Sequence, residues 1–170
     1  PWNKTEYFVN AGYGFHSNDA RGVTAKVDPV PPNDAVDSAT PLVRSKGGEL
    51  GLRTELIPNV QSSLSLWALH LDSELVFVGD AGNTEAGRPS QRYGAEWSNR
   101  WRAQPWLLLD LDLAWNHARF TESAPEGDRV PGAPDWVVSA GASVPRYGPW
   151  SGSMFLRYIG SYPLVEDNSV

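Results

Sequence analysis

Residues 90–101, SQRYGAEWSNRW, put Ser90, Arg92, Gly94, Glu96, Ser98 and Arg100 on one parity and Gln91, Tyr93, Ala95, Trp97, Asn99 and Trp101 on the other. Successive side chains of an extended chain point to opposite faces, so a period of two means a strand with one polar and one largely apolar face. Residues 106–116 repeat the pattern, with Leu107, Leu109, Leu111, Leu113 and Trp115 against Leu108, Asp110, Asp112, Ala114 and Asn116. So do residues 47–56, where Leu50, Leu52 and Leu56 oppose Glu49, Arg53 and Glu55. In residues 136–144, Trp136, Val138, Ala140, Ala142 and Val144 oppose Val137, Ser139, Gly141 and Ser143. No stretch carries a helical period. The chain is constrained to be all-β.

The alternation predicts strands at 5–15, 43–57, 60–78, 90–102, 105–120, 135–146 and 149–160. Within 60–78 the pattern blurs at Trp67-Ala68-Leu69-His70, which predicts a bulge or a rim crossing there. The connections alternate in length: 16–42, then Pro58-Asn59, then 79–89, then Ala103-Gln104, then 121–134, then Tyr147-Gly148. Short links carry Pro, Asn or Gly in or beside them, as tight hairpins require. Long polar loops at one end and tight turns at the other describe a meander of antiparallel strands in a transmembrane β-barrel wall. The face chemistry suits lipid outside and water inside, the reverse of a soluble barrel. Aromatics near strand ends (Tyr13, Trp101, Trp106, Trp115, Trp136, Trp150, Tyr158) fit interfacial girdles. On this pattern Glu49, Arg53, Glu55, Arg92, Glu96, Asp110, Asp112 and Arg157 face the lumen. A passive porin-like channel and a soluble β-barrel binder of small ligands share enough of the pattern to stand as alternatives.

Composition excludes other classes. A net charge of −6 gives no basic footprint for nucleic acid. The chain has no cysteine, so disulfides and thiolate metal sites are absent. Trp106-Leu107-Leu108-Leu109 and Leu75-Val76-Phe77-Val78 are far too short for a membrane helix. Pro1-Trp2-Asn3-Lys4 has neither the basic start nor the apolar core of a signal peptide, so the expectation is either a chain that stays inside the cell or a sequence that lacks its real beginning.

With the strands placed, residues 8–22 (FVNAGYGFHSNDARG) resemble the barrel segment of TonB-dependent outer-membrane receptors, where F-x-N-x-G-x-G-F-H-S-N-D-A-R marks a strand rising to the cell surface and its following loop. Lys46-Gly47-Gly48-Glu49-Leu50-Gly51-Leu52-Arg53, Leu75-Val76-Phe77-Val78-Gly79-Asp80-Ala81-Gly82, Arg92-Tyr93-Gly94-Ala95-Glu96 and Val130-Pro131-Gly132-Ala133-Pro134 are similar to the same family, in order along the chain. The resemblance implies a 22-stranded barrel in the outer membrane, driven by the TonB complex through a plug. It also implies uptake into the periplasm of a scarce extracellular ligand such as a ferric siderophore, haem, cobalamin or a saccharide. Residues 1–170 show no plug, no TonB box and no final strand ending in an aromatic. The expectation is a single incomplete domain of about seven strands, taken from the later part of a barrel.

Candidate chemistry is sparse. His16, Asn18, Asp19 and Arg21 are candidate ligand contacts at the barrel mouth, but Asn and Asp there equally suit a turn that caps backbone groups. One His without a second ligand at fixed spacing makes a poor metal site. His70 and His117 fall within strands and read as wall or girdle residues. Asp80, Asn83 and Glu85 do not have calcium-loop spacing. Asp110 and Asp112 lie about 6.5–7 Å apart along one strand face, a separation that glycosidase carboxylates use. No His or Ser partner accompanies them, so they read as lumenal charges. No enzyme activity and no cofactor are expected.

Overall fold

The computed structural model describes residues 4–17, 23–24, 26–27, 32, 35, 40–73, 75–78, 83–125 and 127–168. Among these described residues nine strands follow in chain order: β1 (Thr5–Ser17), β2 (Leu42–Thr54), β3 (Val60–Leu71), β4 (Leu75–Val78), β5 (Asn83–Ala86), β6 (Ser90–Gln104), β7 (Leu107–Phe120), β8 (Trp136–Tyr147) and β9 (Trp150–Ile159). Seven form one antiparallel sheet in the order β1-β2-β3-β6-β7-β8-β9, while β4 and β5 pair only with each other. The sheet is an open meander, with β1 and β9 as its edges.

Two parts of the sequence reading shift. The predicted strand 60–78 ends at Leu71, and Leu75–Val78 belongs to the separate β4–β5 hairpin instead of extending the wall. The break is fixed by polar groups: the Asp72 N–H donates to the Arg44 carbonyl (3.0 Å), and Ser73 Oγ donates to the Gly87 carbonyl (2.9 Å), closing the base of the hairpin. The tight turn expected at Ala103-Gln104 lies two residues later, at Pro105-Trp106. Proline's fixed φ and missing N–H suit a turn better than a ladder position. The register slips between Arg102 and Gln104 to accommodate it. The other two tight turns use left-handed residues, Asn59 (φ 64°) and Gly148 (φ 62°).

The irregularity at Trp67–His70 is not a bulge. The β3–β6 register runs unbroken from Val60↔Trp101 to Leu71↔Ser90, with Trp67 opposite Gly94. Trp67 departs from the pattern because it lies on the polar face, folded over a glycine. A Cβ on Gly94 would sit 2.8 Å from Trp67 Cζ2. Phe155 covers Gly141 in the same way (2.7 Å from a Cβ to Cε1), and Phe8 covers Gly51, each across a directly paired position. The aromatic fills the space that the missing side chain leaves, which keeps the polar face low in profile.

Following the register across strands separates the faces. Val9, Leu50, Leu66, Ala95 and Trp115 form one continuous row, and Tyr7, Leu52, Leu64, Trp97, Leu113, Val138 and Tyr158 form the next. All lie on one apolar face. Along β1 this apolar band covers Tyr7 to Phe15, yet Tyr7 aligns with Leu113, near the far end of the Leu107–Trp115 band on β7. The band therefore slides toward the tight-turn end from β1 to β7. Tilted strands of a barrel produce that stagger.

The sheet is a single layer. Among the described residues only Val43, Phe120 and Val130 are buried hydrophobics, whereas Val9 is 80% and Tyr13 92% exposed. No second layer of described residues lies against the apolar face. No helix among the described residues is long and apolar enough to cross a membrane, which does not bear on strands.

Gly94→Ala in the complete barrel should destabilise it by about 1–3 kcal/mol, the usual cost of overpacking, because the added Cβ collides with the Trp115 carbonyl oxygen and with the Trp67 ring. Gly12→Ala, with open space around its Cβ, should be nearly silent. Urea midpoints of the two variants in lipid check this.

Candidate functional site: a charged row on the polar face

On the polar face one row of directly paired residues crosses all seven strands: Glu6, Arg53, Ser63, Ser98, Asp112, Ser139 and Arg157. A second row, one pair nearer the tight turns, sets Gln61, Arg100, Asp110 and Gly141 in line. Strict antiparallel register places these residues, because partners directly opposite share a face about 5 Å apart.

Charges of opposite sign meet along these rows. Arg53 Nη1 lies 3.6 Å from Glu6 Oε2, both well exposed. Arg100 Nε donates to Asp110 Oδ1 at 2.8 Å, with Asp110 the more sheltered partner. Gln61 Nε2 donates to Glu55 Oε1 (2.8 Å), and Asn10 Nδ2 reaches Glu49 Oε2 (3.4 Å). Arg53, Glu55, Gln61, Ser63, Ser98, Arg100, Asp110 and Asp112 line a shallow groove of about 270 Å³. Ion pairs this exposed add little to stability. Their chemical capacity is to receive a polar partner carrying both signs.

The structure divides the eight residues read as lumenal. Arg53, Glu55, Asp110 and Asp112 come together in the groove. Glu49 and Glu96 stand higher on the same face, opposite Trp67 and Ser65. Arg92 lies higher still, between Leu69 and Ala118, and Arg157 pairs with Ser139 toward the β9 edge. Asp110 is engaged by Arg100. Sequence reading missed Glu6, Gln61 and Arg100 as members. Arg100 shares parity with Arg92 and Glu96, and that was the available signal; Glu6 and Gln61 become members only through register.

The mouth candidates separate as well. His16 is on β1, on the polar face, opposite Val43. Asn18, Asp19 and Arg21 lie outside the described residues, as does Asp80. Asn83 and Glu85 fall in β5. His70 and His117 lie on the apolar face, where His117 packs 5.1 Å from Tyr93. Among the described residues no group of three or more His, Asp or Glu could hold a metal ion.

A second polar cluster, not foreseen from sequence, ties the long connections together. The Arg88 guanidinium donates to the Glu122 carbonyl (2.7 Å) and the Gly127 carbonyl (2.8 Å), pairs with Glu166, and lies 4.5 Å over the Phe120 ring. Gly127, at φ 103°, packs against the Glu166 backbone, where a side chain would collide. Arg129 N–H donates to the Glu166 carbonyl (3.0 Å) and Gly132 N–H to the Pro163 carbonyl (2.8 Å). Three segments far apart in sequence are thereby joined at the long-connection end of the sheet.

Comparison with known proteins completes the description. A family model, TonB dependent receptor-like, beta-barrel, matches residues 2–170. A comparison with curated proteins gave no match. Among solved structures the chain is similar to the ferric yersiniabactin uptake receptor FyuA from Yersinia pestis, at 19% identity and TM-score 0.71, over 98% of this chain and 25% of that one. It is similar to the copper transporter OprC, at 18% identity and TM-score 0.67, over 90% and 23% of the two chains. It is also similar to the ferric-catecholate import receptor Fiu from K12 E. coli, at 16% identity and TM-score 0.66, over 99% and 24%. The chain thus spans about a quarter of the length of these structures, and at such identities they speak for the fold. The family match covers nearly every residue of the seven-stranded meander: the chain belongs to the TonB-dependent receptors and forms a stretch of their β-barrel.

Proposed function

We propose that this segment is wall of an outer-membrane receptor that imports a scarce extracellular ligand into the periplasm under the drive of the TonB complex. The observation that carries the reading is the family match over a sheet with one mainly apolar and one mainly polar face. The solved structures named above are a ferric yersiniabactin uptake receptor, a copper transporter and a ferric-catecholate import receptor, so copper or a ferric chelate of that kind is the ligand class favoured over haem, cobalamin or a saccharide. In this reading the apolar face meets lipid. The charged rows, with Glu49, Arg53, Glu55, Arg92, Glu96, Asp110, Asp112 and Arg157, face the interior. A plug packed there would carry the TonB contact. The long connections lie at the cell surface, and His16, Asn18, Asp19 and Arg21 are the residues proposed to contact ligand there. No catalytic step and no resident cofactor belong to the proposal.

Transport tests it directly. Cells carrying the complete gene should take up at least one member of a panel of ferric chelates, copper, haem, cobalamin and saccharides, and should lose that uptake when TonB is deleted. Uptake that persists without TonB would mark a passive channel.

Leu111→Arg, at mid-membrane depth, should destabilise the complete barrel by about 2–4 kcal/mol. Ala114→Arg, on the opposite face of β7, should cost much less. Unfolding midpoints in lipid vesicles read the difference, and equal costs would contradict the face assignment.

A cysteine at Ser123 of the complete receptor should react with an impermeant thiol reagent on whole cells, and one at Asn59 should remain unlabelled. The opposite result would reverse the orientation.

A further inference from the structure

Where the ladder stops, one side chain holds segments from three parts of the sequence. The Arg88 guanidinium, on the β5–β6 connection, donates to the Glu122 and Gly127 carbonyls and pairs with the Glu166 carboxylate. The two carbonyls belong to the β7–β8 connection, and Glu166 follows β9. Both partners of the ion pair are sheltered, Arg88 at 18% and Glu166 at 25% side-chain exposure. Glu166 is engaged at its backbone as well, where its carbonyl accepts from the Arg129 N–H at 3.0 Å. The same residue thus ties Arg88 to the β7–β8 connection by a second route.

What this knot covers is apolar. Phe120 has the parity of Asp110 and Asp112, so it lies on the polar face of β7, yet it is only 4% exposed. The Arg88 guanidinium sits 4.5 Å over its ring. Ser90, directly opposite Phe120, is fully buried, and Val130 is 4% exposed. The covering segment itself has little to hold it down. Of residues 160–168 only Gly160 and Pro163 are buried, while Tyr162 is 48% and Leu164 61% exposed. Its remaining ties are backbone hydrogen bonds, from the Gly160 N–H to the Trp136 carbonyl (2.7 Å) and from the Gly132 N–H to the Pro163 carbonyl (2.8 Å). A segment with few buried apolar contacts and a handful of polar bonds opens far more readily than a continuous strand ladder.

We propose that the β7–β8 connection and residues 160–168 form one flap, which opens and closes as a unit over Phe120 and Ser90 with the planar fork of Arg88 as its latch. Arg88 is a positioning residue in this device. Its rigid guanidinium reaches two carbonyls and a carboxylate at once, which the ammonium of a lysine has no geometry to do. Gly127 completes the closed form, because at φ 103° it packs against the Glu166 backbone where a side chain would collide. Losing the latch frees the acceptors of both segments together. The open flap bares the Phe120 ring on a face that is otherwise mainly polar.

The test is hydrogen–deuterium exchange of the complete receptor in detergent micelles, which requires neither a ligand nor a membrane orientation. Arg88→Gln should speed exchange of peptides covering 121–133 and 160–168 by about 10- to 100-fold, the range set by charge-assisted hydrogen bonds. Peptides covering 107–115 in β7 should stay protected over the same time. Glu166→Gln should also speed both rim peptides, and the double variant should exchange no faster than Arg88→Gln alone, because the two side chains act on one opening. Arg88→Lys should resemble Arg88→Gln. As a second readout, Ser90→Cys, made the sole cysteine of the receptor, should react slowly with a thiol reagent and about 10- to 100-fold faster when combined with Arg88→Gln. Faster exchange in only one of the two segments, additive effects in the double variant, or full rescue by Arg88→Lys would overturn the proposal. So would β7 peptides that exchange along with the rim, since the opening would then be global, or Ser90→Cys labelling that Arg88→Gln leaves unchanged.

Discussion

The unbroken antiparallel ladder is the constraint on which the rest depends. Backbone N–H and C=O groups in hydrocarbon have no water to turn to, so each must find a partner in a neighbouring strand. That condition holds the register of β1 to β9 through every central position and pushes its two irregularities to the tight-turn ends, at Arg102–Gln104 and Val144–Tyr147. A slip of one residue anywhere would exchange the two faces of a strand. Leu111 would then stand where Asp112 does. Register is thus what turns an alternating sequence into two chemically distinct surfaces.

The same ladder explains how a single layer can be a protein. A soluble domain buries one sheet face against another element, but here neither face is covered by a layer of the described residues. In the proposed setting lipid covers the apolar face and a packed or hydrated interior meets the polar one. The aromatic-over-glycine pairs fit this arrangement. Phe8, Trp67 and Phe155 lie against Gly51, Gly94 and Gly141, so large rings sit on the polar side without standing into the space that a plug would fill. The Arg88 cluster serves the long-connection end, where the ladder has stopped. One guanidinium with several acceptors replaces the strand pairing that those segments lack.

Much of this architecture was legible because period-two patterning survives wherever both faces impose opposite demands. Strands β6 and β7 could be read almost to the residue from SQRYGAEWSNRW and the Leu/Asp alternation. Legibility failed where a side chain answers to a cross-strand neighbour instead of to its face. Trp67 looks misplaced until Gly94 is known to lie beneath it. The end of β3 was missed because Asp72 and Ser73 act through Arg44 and Gly87, on other segments. Of the charged site, parity identified Arg53, Glu55, Asp110 and Asp112. The alignment of Arg100 with Asp110 required the register. Glu166 as the partner of Arg88 had no local signal, since the two are brought together from 78 positions apart.

The central claim is that one face of this sheet meets lipid and the other a polar interior. Spin labels placed singly at each position from Leu107 to Asn116 of the complete receptor in bilayers test it most directly, through their accessibility to oxygen and to a water-soluble paramagnetic reagent. Oxygen accessibility should peak at 107, 109, 111, 113 and 115, and accessibility to the polar reagent should run a half-period out of step, however small its amplitude beside a packed interior. Accessibilities that do not alternate, or two reagents that peak at the same positions, would contradict the account.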